Sequence, residues 1–219
     1  MPERNILSLY PRIQRNIGAR AQAKQNGHLR ATAQQYGFEY FDGTREQGYG
    51  GYRYDGRWQP LVRKIAEIYR LRPDAAILDI GAAKGFMLHD FKAFMPQCSV
   101  AGLEISAYAI AHAMADVKPY IIQGHAKSLP FADQSFDLVM AVNVIHNLVE
   151  SEARQAVREI VRVCRGYAYI QVDSFRNAAE KKALEDWQLT AELIWSPQQW
   201  EALFAQEGYK GDYYWTITE

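Results

Sequence analysis

The stretch from Ile77 to Leu88, reading Ile-Leu-Asp-Ile-Gly-Ala-Ala-Lys-Gly-Phe-Met-Leu, holds the residue types best suited to meet a ligand. An apolar strand runs into a tight turn of small residues, and a helix leaves it. Gly81 and Gly85, four positions apart, let the backbone approach a ligand as no side chain would. The free N–H groups of the next helical turn then face that ligand. The spacing is Gly-x-x-x-Gly, not the Gly-x-Gly-x-x-Gly of dinucleotide folds. A glycine after a strand is often only a turn, so the residues downstream decide. Glu104 follows a second strand, 25 positions after Asp79. A carboxylate there accepts bonds from both hydroxyls of a ribose, or caps the helix that starts at Ser106. His146 and Asn147 follow a later strand. An imidazole there can move a proton near neutral pH, or can simply pack and cap the helix at Glu150.

These residues need elements to hold them, and the pattern becomes regular from residue 59. Leu61, Ile65 and Ile68 mark a helix over 59–69. Strands follow over 76–80, 99–103, 120–123, 136–144 and 167–173. Helices come between them over 86–94, 107–115 and 150–165. Ser196-Pro197 starts a further helix that Gly208 closes, and 211–218 reads as a last strand. This alternation predicts an α/β fold with a mostly parallel sheet. Ligands of such sheets sit beyond the carboxyl ends of the strands. That rule selects Gly81–Gly85, Glu104, His125–Ala126, Asn143–Asn147 and Asp173–Arg176.

Composition sets the outer bounds. The chain has 219 residues, 48% of them hydrophobic, enough for one core. Lys plus Arg and Asp plus Glu are both 25, which argues against a polyanion such as nucleic acid as partner. Cys98 and Cys164 lack neighbours at metal-ligand spacing, and no carboxylate cluster follows the fourth and fifth strands, so no metal is expected. Cys164 ends the stripe Val157, Ile160, Val161, a helical core position. No leader-like segment and no long apolar run is visible. The expectation is a cytoplasmic protein without a membrane partner. It divides into an N-terminal helical extension with an aromatic lid (1–58) and a ligand-binding domain (59–219).

Taken together, 77–85, Glu104, 124–131 and 135–148 resemble four successive signature segments of the class I S-adenosylmethionine-dependent methyltransferases. The resemblance spans roughly 60–217. It implies a Rossmann-like doubly wound sheet, mostly parallel with an antiparallel C-terminal strand, and S-adenosylmethionine as cofactor. Asp79 would lie near the cofactor's amino-acid end, and Gly81, Ala82 and Gly85 under its methionine and ribose. Glu104 would take the ribose hydroxyls, Ile105 and the Ala126 N–H the adenine, and Asn143 the methionine portion. Three residues or elements depart from the pattern. Ala83 replaces the family's middle glycine. His125 stands where an acidic residue is usual, as an acceptor for the adenine amino group. The closing hairpin shows one clear strand, with the stretch around Ile194-Trp195 as candidate for the other.

The segment 49–58 crowds three tyrosines, a tryptophan, two arginines and three glycines into ten positions. It reads either as a packed aromatic loop or as a lid in which Tyr49, Tyr54 and Arg57 clamp a carboxylate or the substrate. His146 is the candidate base, and Asn147, Asp173 and Arg176 the candidates to read substrate polarity. Trp187, Trp195 and Trp200 either wall the pocket or fill the core. The leading function is methyl transfer to an O or N of a small polar acceptor such as a sugar or sugar nucleotide. The segment 187–190 is similar to methyltransferases of surface-polysaccharide pathways. The rivals are a nicotinamide-dependent oxidoreductase, a non-catalytic S-adenosylmethionine-binding subunit and a nucleic-acid methyltransferase.

Overall fold

Residues 76–80 offer no polar face to water, and they become the inner strand β1 (Ala76–Ile80) of a six-stranded sheet. The computed structural model describes residues 2–11, 15–25 and 27–218. The other strands are β2 (Ser99–Glu104), β3 (Ile121–Gln123), β4 (Phe136–Val142), β5 (Cys164–Ser174) and β6 (Asp212–Ile217). They lie in the order β3-β2-β1-β4-β5-β6, and every neighbouring pair is parallel. Between β1 and the adjacent β4 the order reverses, which opens a crevice at their carboxyl ends.

Alternate side chains of β4 feed two cores, as strand period dictates. Leu138 and Met140 pack with Leu61, Ile65 and Phe91. These come from α4 (Gln59–Ile68) and α5 (Phe86–Phe94) on one face. Val139 and Ala141 pack with Val157, Ile160, Trp200 and Phe204. Those belong to α7 (Glu150–Val163) and α9 (Pro197–Gln206) on the other. A strand covered on both sides reads as a continuous apolar run, which is how the sequence betrays it.

Several elements stop earlier than their composition predicts, β4 at Val142 among them, and two helices show why. α6 (Ala107–Ala111) ends at His112, and the Met114 N–H docks on the Lys84 carbonyl at 3.0 Å. α7 ends at Val163, so Cys164 leaves the helical stripe and opens β5 opposite Phe136, while Val161 faces solvent.

The expected antiparallel C-terminal strand is overturned: β6 runs parallel to β5, from Tyr169 opposite Asp212 to Ser174 opposite Ile217. The link between them carries α8 (Ala178–Trp187) and α9. Two helices give the chain length for a crossover, which returns it in the same direction, whereas a hairpin would reverse it. Residues 194–195 form no strand. The outer edge of β6 meets the start of the chain instead. Arg4 N–H donates to the Tyr213 carbonyl at 2.8 Å, and Tyr213 N–H to that of Pro2 at 3.3 Å.

The N-terminal extension contributes α1 (Ile17–Lys24), α2 (Leu29–Ala33) and α3 (Phe38–Phe41). Lys24 Nζ donates to the Gln188 carbonyl at 2.9 Å, and Arg30 pairs with Glu192 at 2.9 Å. Lys84, buried in the turn after β1, reaches Asp42 at 2.6 Å. Ser106 Oγ donates to the Tyr36 carbonyl at 2.5 Å. These ties hold the extension across the carboxyl ends of the strands.

Candidate functional site

The turn after β1 is shaped by what it cannot accommodate. Gly81 has φ 78°, and a Cβ there would lie 2.2 Å from Val144 Cγ2. Its N–H and that of Ala82 both donate to the Leu103 carbonyl, at 2.7 and 3.1 Å. Ala83 sits in the left-handed region at φ 49°, a conformation that costs an L-residue roughly 1–2 kcal/mol where glycine is free. Its N–H donates to Glu104 Oε2 at 2.7 Å, and Glu104 Oε1 accepts from Ser106 N–H at 2.8 Å. Glu104 therefore does brace the start of α6, and lines a cavity as well. Gly85 lines neither of the two cavities at the strand ends. A Cβ there would meet Val117 Cγ2 at 2.9 Å and Ile121 Cδ1 at 3.0 Å, so this glycine lets α5 start close against the core instead of touching a ligand.

A cavity of about 280 Å³ opens over this turn. Gly81 and Glu104 line it from the strand ends, beside the exposed Ile105 and the Ala126 backbone. Tyr36, Tyr40 and Phe41 of the extension close its other side. His125 borders it, but its Nδ1 already accepts from Lys127 N–H at 3.2 Å, leaving the ring proton on Nε2, 3.6 Å from Glu152. The ring has no spare lone pair, so the expected acceptor role of His125 does not fit. Burial holds its pKa below the usual histidine value, Lys127 adding to this and Glu152 opposing it. The carboxylate on this wall is Glu152, which also pairs with Lys127 at 2.5 Å.

A second cavity of about 620 Å³ shares Gly81, Asn143 and Asn147 with the first. Ala82 and Asp79 lie on its wall. The Asp79 side chain is buried, and its carboxyl has no hydrogen-bond partner among the described residues. Burial, and then the nearby Glu104, push its carboxyl up to about 8. Asn143 adopts φ 58°, which asparagine tolerates better than most residues. Its carbonyl accepts from Asn147 Nδ2 at 3.1 Å, and Asn147 Oδ1 accepts from Thr190 Oγ1 at 2.8 Å.

His146 and Asp173 meet on the same wall, both buried. His146 Nδ1 accepts the Asp173 backbone N–H at 3.0 Å. The neutral ring thus carries its proton on Nε2, 3.5 Å from Asp173 Oδ2. Gln188 also donates to that oxygen. Burial keeps the imidazole pKa low, against the pull of Asp173. Burial likewise raises the pKa of Asp173, against His146 and Arg15. In this arrangement a neutral His146 has no lone pair free for a substrate proton, which sets its expected role as base aside. The acceptor of the pair is the carboxylate.

The lid residues separate. Tyr49 lines both cavities and stacks on Phe41. Tyr54 and Arg57 line neither: Tyr54 donates to Asp90 at 2.6 Å, and Arg57 pairs with Asp55 at 2.5 Å. With the guanidinium spent on a neighbour two residues away, Arg57 is not the clamp its position suggested. Arg176 borders the larger cavity and bonds Glu180 at 2.8 Å. Trp187 walls that cavity, while Trp200 is wholly in the core and Trp195 packs against it. Sequence reasoning missed Glu152, Gln188, Thr190 and the arginines at 15, 20 and 45. Only Thr190 and Gln188 lay in a stretch the sequence had marked; the arginines sit in a weakly patterned region with no spacing to flag them.

Among the described residues no cluster of three His, Cys, Asp or Glu side chains is placed to hold a metal ion. Nor is any described helix long and apolar enough to cross a membrane.

Residues 78–170 match a family model described as a methyltransferase domain. The uncharacterized methyltransferase YcgJ of Bacillus subtilis is 28% identical over 172 residues, 72% of this chain and 65% of its own length. A demethylmenaquinone methyltransferase of Roseiflexus is 32% identical over 91 residues, 40% of this chain and 37% of that one. The chain thus spans about two thirds of YcgJ and less of the Roseiflexus enzyme. A crystal structure of a putative methyltransferase from Bacillus halodurans shares the fold at TM-score 0.56 and 20% identity. That likeness covers 67% of this chain and 68% of the other.

Proposed function

We propose that this chain, whose residues 78–170 match a methyltransferase domain, is a class I S-adenosylmethionine-dependent methyltransferase that moves a methyl group onto an oxygen or nitrogen of a small polar acceptor. The observation that carries this reading is the meeting of two cavities at Gly81, Asn143 and Asn147, with the Asp173–His146 pair on the wall of the larger one. The cofactor supplies a methyl carbon on a sulfonium sulfur, open to in-line displacement. The protein's part is to position that carbon and to manage a proton.

Glu104 has acceptor capacity beyond its two backbone bonds, and takes the ribose hydroxyls. Glu152 stands where the adenine amino group needs an acceptor. Asp79, buried and unpartnered, faces the cofactor's ammonium. Asp173 takes the proton that a sugar hydroxyl or an ammonium acceptor must lose, and His146 holds it in place as a positioning residue. The roof of Tyr36, Tyr40 and Tyr49 keeps water from the crevice.

Asp79 gives a test of the cofactor's orientation. Below pH about 8 the cofactor-free carboxyl keeps its proton, and a cationic ammonium beside it favours the carboxylate. Binding therefore releases a proton. S-adenosylhomocysteine affinity should rise with pH from about 6 to 8, by up to about tenfold per unit, and level off in Asp79→Asn. Calorimetry in buffers of different ionisation enthalpy counts the proton; an affinity flat with pH would move the ammonium elsewhere.

The all-parallel order of this sheet is also that of dinucleotide-binding folds. Topology alone does not separate the two cofactors, so the deciding titration uses S-adenosylhomocysteine with NAD as comparator. Binding of the first and not the second is expected, and uptake of NAD alone would overturn the reading. An acceptor screen of sugars and sugar nucleotides, read as S-adenosylhomocysteine release, then tests the acceptor class.

A further inference from the structure

Several outer arginines pair with carboxylates: Arg154 and Arg158 with Glu207, Arg162 with Glu159 and Asp133, Arg165 with Asp137. Arg176, on the wall of the larger cavity, is paired in the same way with Glu180, but three other arginines on that wall are not. The guanidinium carbons of Arg15, Arg20 and Arg45 lie 5.5, 3.9 and 5.2 Å from the centre of the Trp187 ring. All four residues line that cavity. None of the three arginines has an ion-pair partner among the described residues. Their bonds go to carbonyls: Arg15 to Ile217 at 3.3 Å, Arg20 to Gly48 at 2.8 Å and to Arg45, and Arg45 to Gly48 and Tyr49 at 3.2 and 3.0 Å.

Arg20 is only 6% exposed, and its Nε is buried with no partner. Burial, then the charge of Arg45, bring its pKa down to about 10, still cationic at neutral pH. Three cations held together repel one another, and a buried charge without a counterion is costly. Trp187 offsets part of that by cation–π contact, nearest to Arg20. The balance is restored by an anion with several charges and several acceptor oxygens, which planar guanidiniums bind in bidentate fashion.

We propose that Arg15, Arg20 and Arg45 bind a phosphate or diphosphate group of the methyl acceptor, in the cavity that also holds Asp173. This rests on the methyltransferase reading and narrows its substrate class to phosphorylated small molecules. The N-terminal extension then serves the site directly, since it carries all three cations to the crevice. A single carboxylate would leave most of the charge unmatched.

The test titrates inorganic pyrophosphate into the cofactor-free and the S-adenosylhomocysteine-loaded protein, with acetate and a single-stranded RNA oligonucleotide as comparators. Arg20 anchors the 45–48 turn, so the variants are Arg15→Gln and Arg45→Gln, with Arg20→Lys as a charge-preserving third and thermal midpoints as the folding control. Pyrophosphate should bind both forms of the wild type, more tightly than acetate. Each glutamine variant should weaken it at least tenfold and leave S-adenosylhomocysteine affinity unchanged. Pyrophosphate that fails to bind, or that binds folded variants as well as wild type, overturns the proposal. Variants that lose S-adenosylhomocysteine and keep pyrophosphate would reassign the cluster to the cofactor's carboxylate, and RNA binding far tighter than pyrophosphate would reassign it to a polynucleotide. Failure of the methyltransferase reading looks different: pyrophosphate binds the cofactor-free protein, and S-adenosylhomocysteine does not bind at all.

Discussion

Asp173→Asn should lower turnover by about 10²–10⁴, the usual contribution of a general base, while S-adenosylhomocysteine affinity holds. The expectation follows from hydrogen-bond direction. A backbone N–H points at His146 Nδ1, so a proton added there would face another proton, and Nε2 already carries one toward the carboxylate. The lone pairs of the pair that can take a proton therefore belong to Asp173. Burial raises its pKa, which makes the carboxylate a stronger base than a surface aspartate. The sign sets the pH profile. Turnover is lost as pH falls through that raised pKa, and the asparagine variant should lack this acid limb. His146→Gln keeps an acceptor for the Asp173 N–H and should cost less than Asp173→Asn, with the limb displaced. Turnover of Asp173→Asn within about threefold of wild type would remove the base and leave methyl transfer to positioning alone.

The parts of this architecture that follow from local pattern were legible in the chain. β1 and α5 come out over the same residues that apolar runs and the glycine turn predict, because both lie in the core and their burial is written in their own composition. The direction of β6 was not legible. Whether a final strand runs with or against its neighbour depends on the path of 178–206, and that path is set by packing of α8 and α9, not by residues 212–217. The same holds for Arg57. Its sequence neighbourhood, rich in tyrosine and glycine, suggests a clamp, yet Asp55 is two positions away and takes the guanidinium. The cluster at 15, 20 and 45 shows the converse. Three arginines dispersed over thirty positions carry no motif. α1 brings Arg20 against α8, and the segment before α1 and the 45–48 turn bring Arg15 and Arg45 to the same tryptophan. Spacing reveals what one element does; it says little about what two elements do together.

Glu104→Ala should weaken S-adenosylhomocysteine by about 100-fold, from the loss of two charged hydrogen bonds at about 1.5 kcal/mol or more each. The carboxylate acts twice. It orders the turn after β1 by accepting the N–H of Ala83, a residue held in a backbone region that alanine disfavours. It also offers its remaining lone pairs to the cavity. Alanine removes both, so part of the lost affinity appears as disorder of the turn. Glutamine separates the two contributions. It keeps the volume and one acceptor, but its NH2 must face the N–H of either Ala83 or Ser106, donor against donor, so Glu104→Gln should fall between wild type and alanine. Stability of the cofactor-free protein should change far less than affinity. Glu104 and Asp79 are two carboxyls in one buried space, and Glu104 helps push Asp79 up to about 8. Removing it relieves that repulsion even as it costs hydrogen bonds. The relief has its own signature: in Glu104→Ala the Asp79 pKa falls in part, burial still holding it up, so the rise of affinity with pH should level off at a lower pH than in the wild type. An S-adenosylhomocysteine affinity within threefold of wild type, with the pH dependence intact, would mean that the cofactor's ribose does not reach this carboxylate.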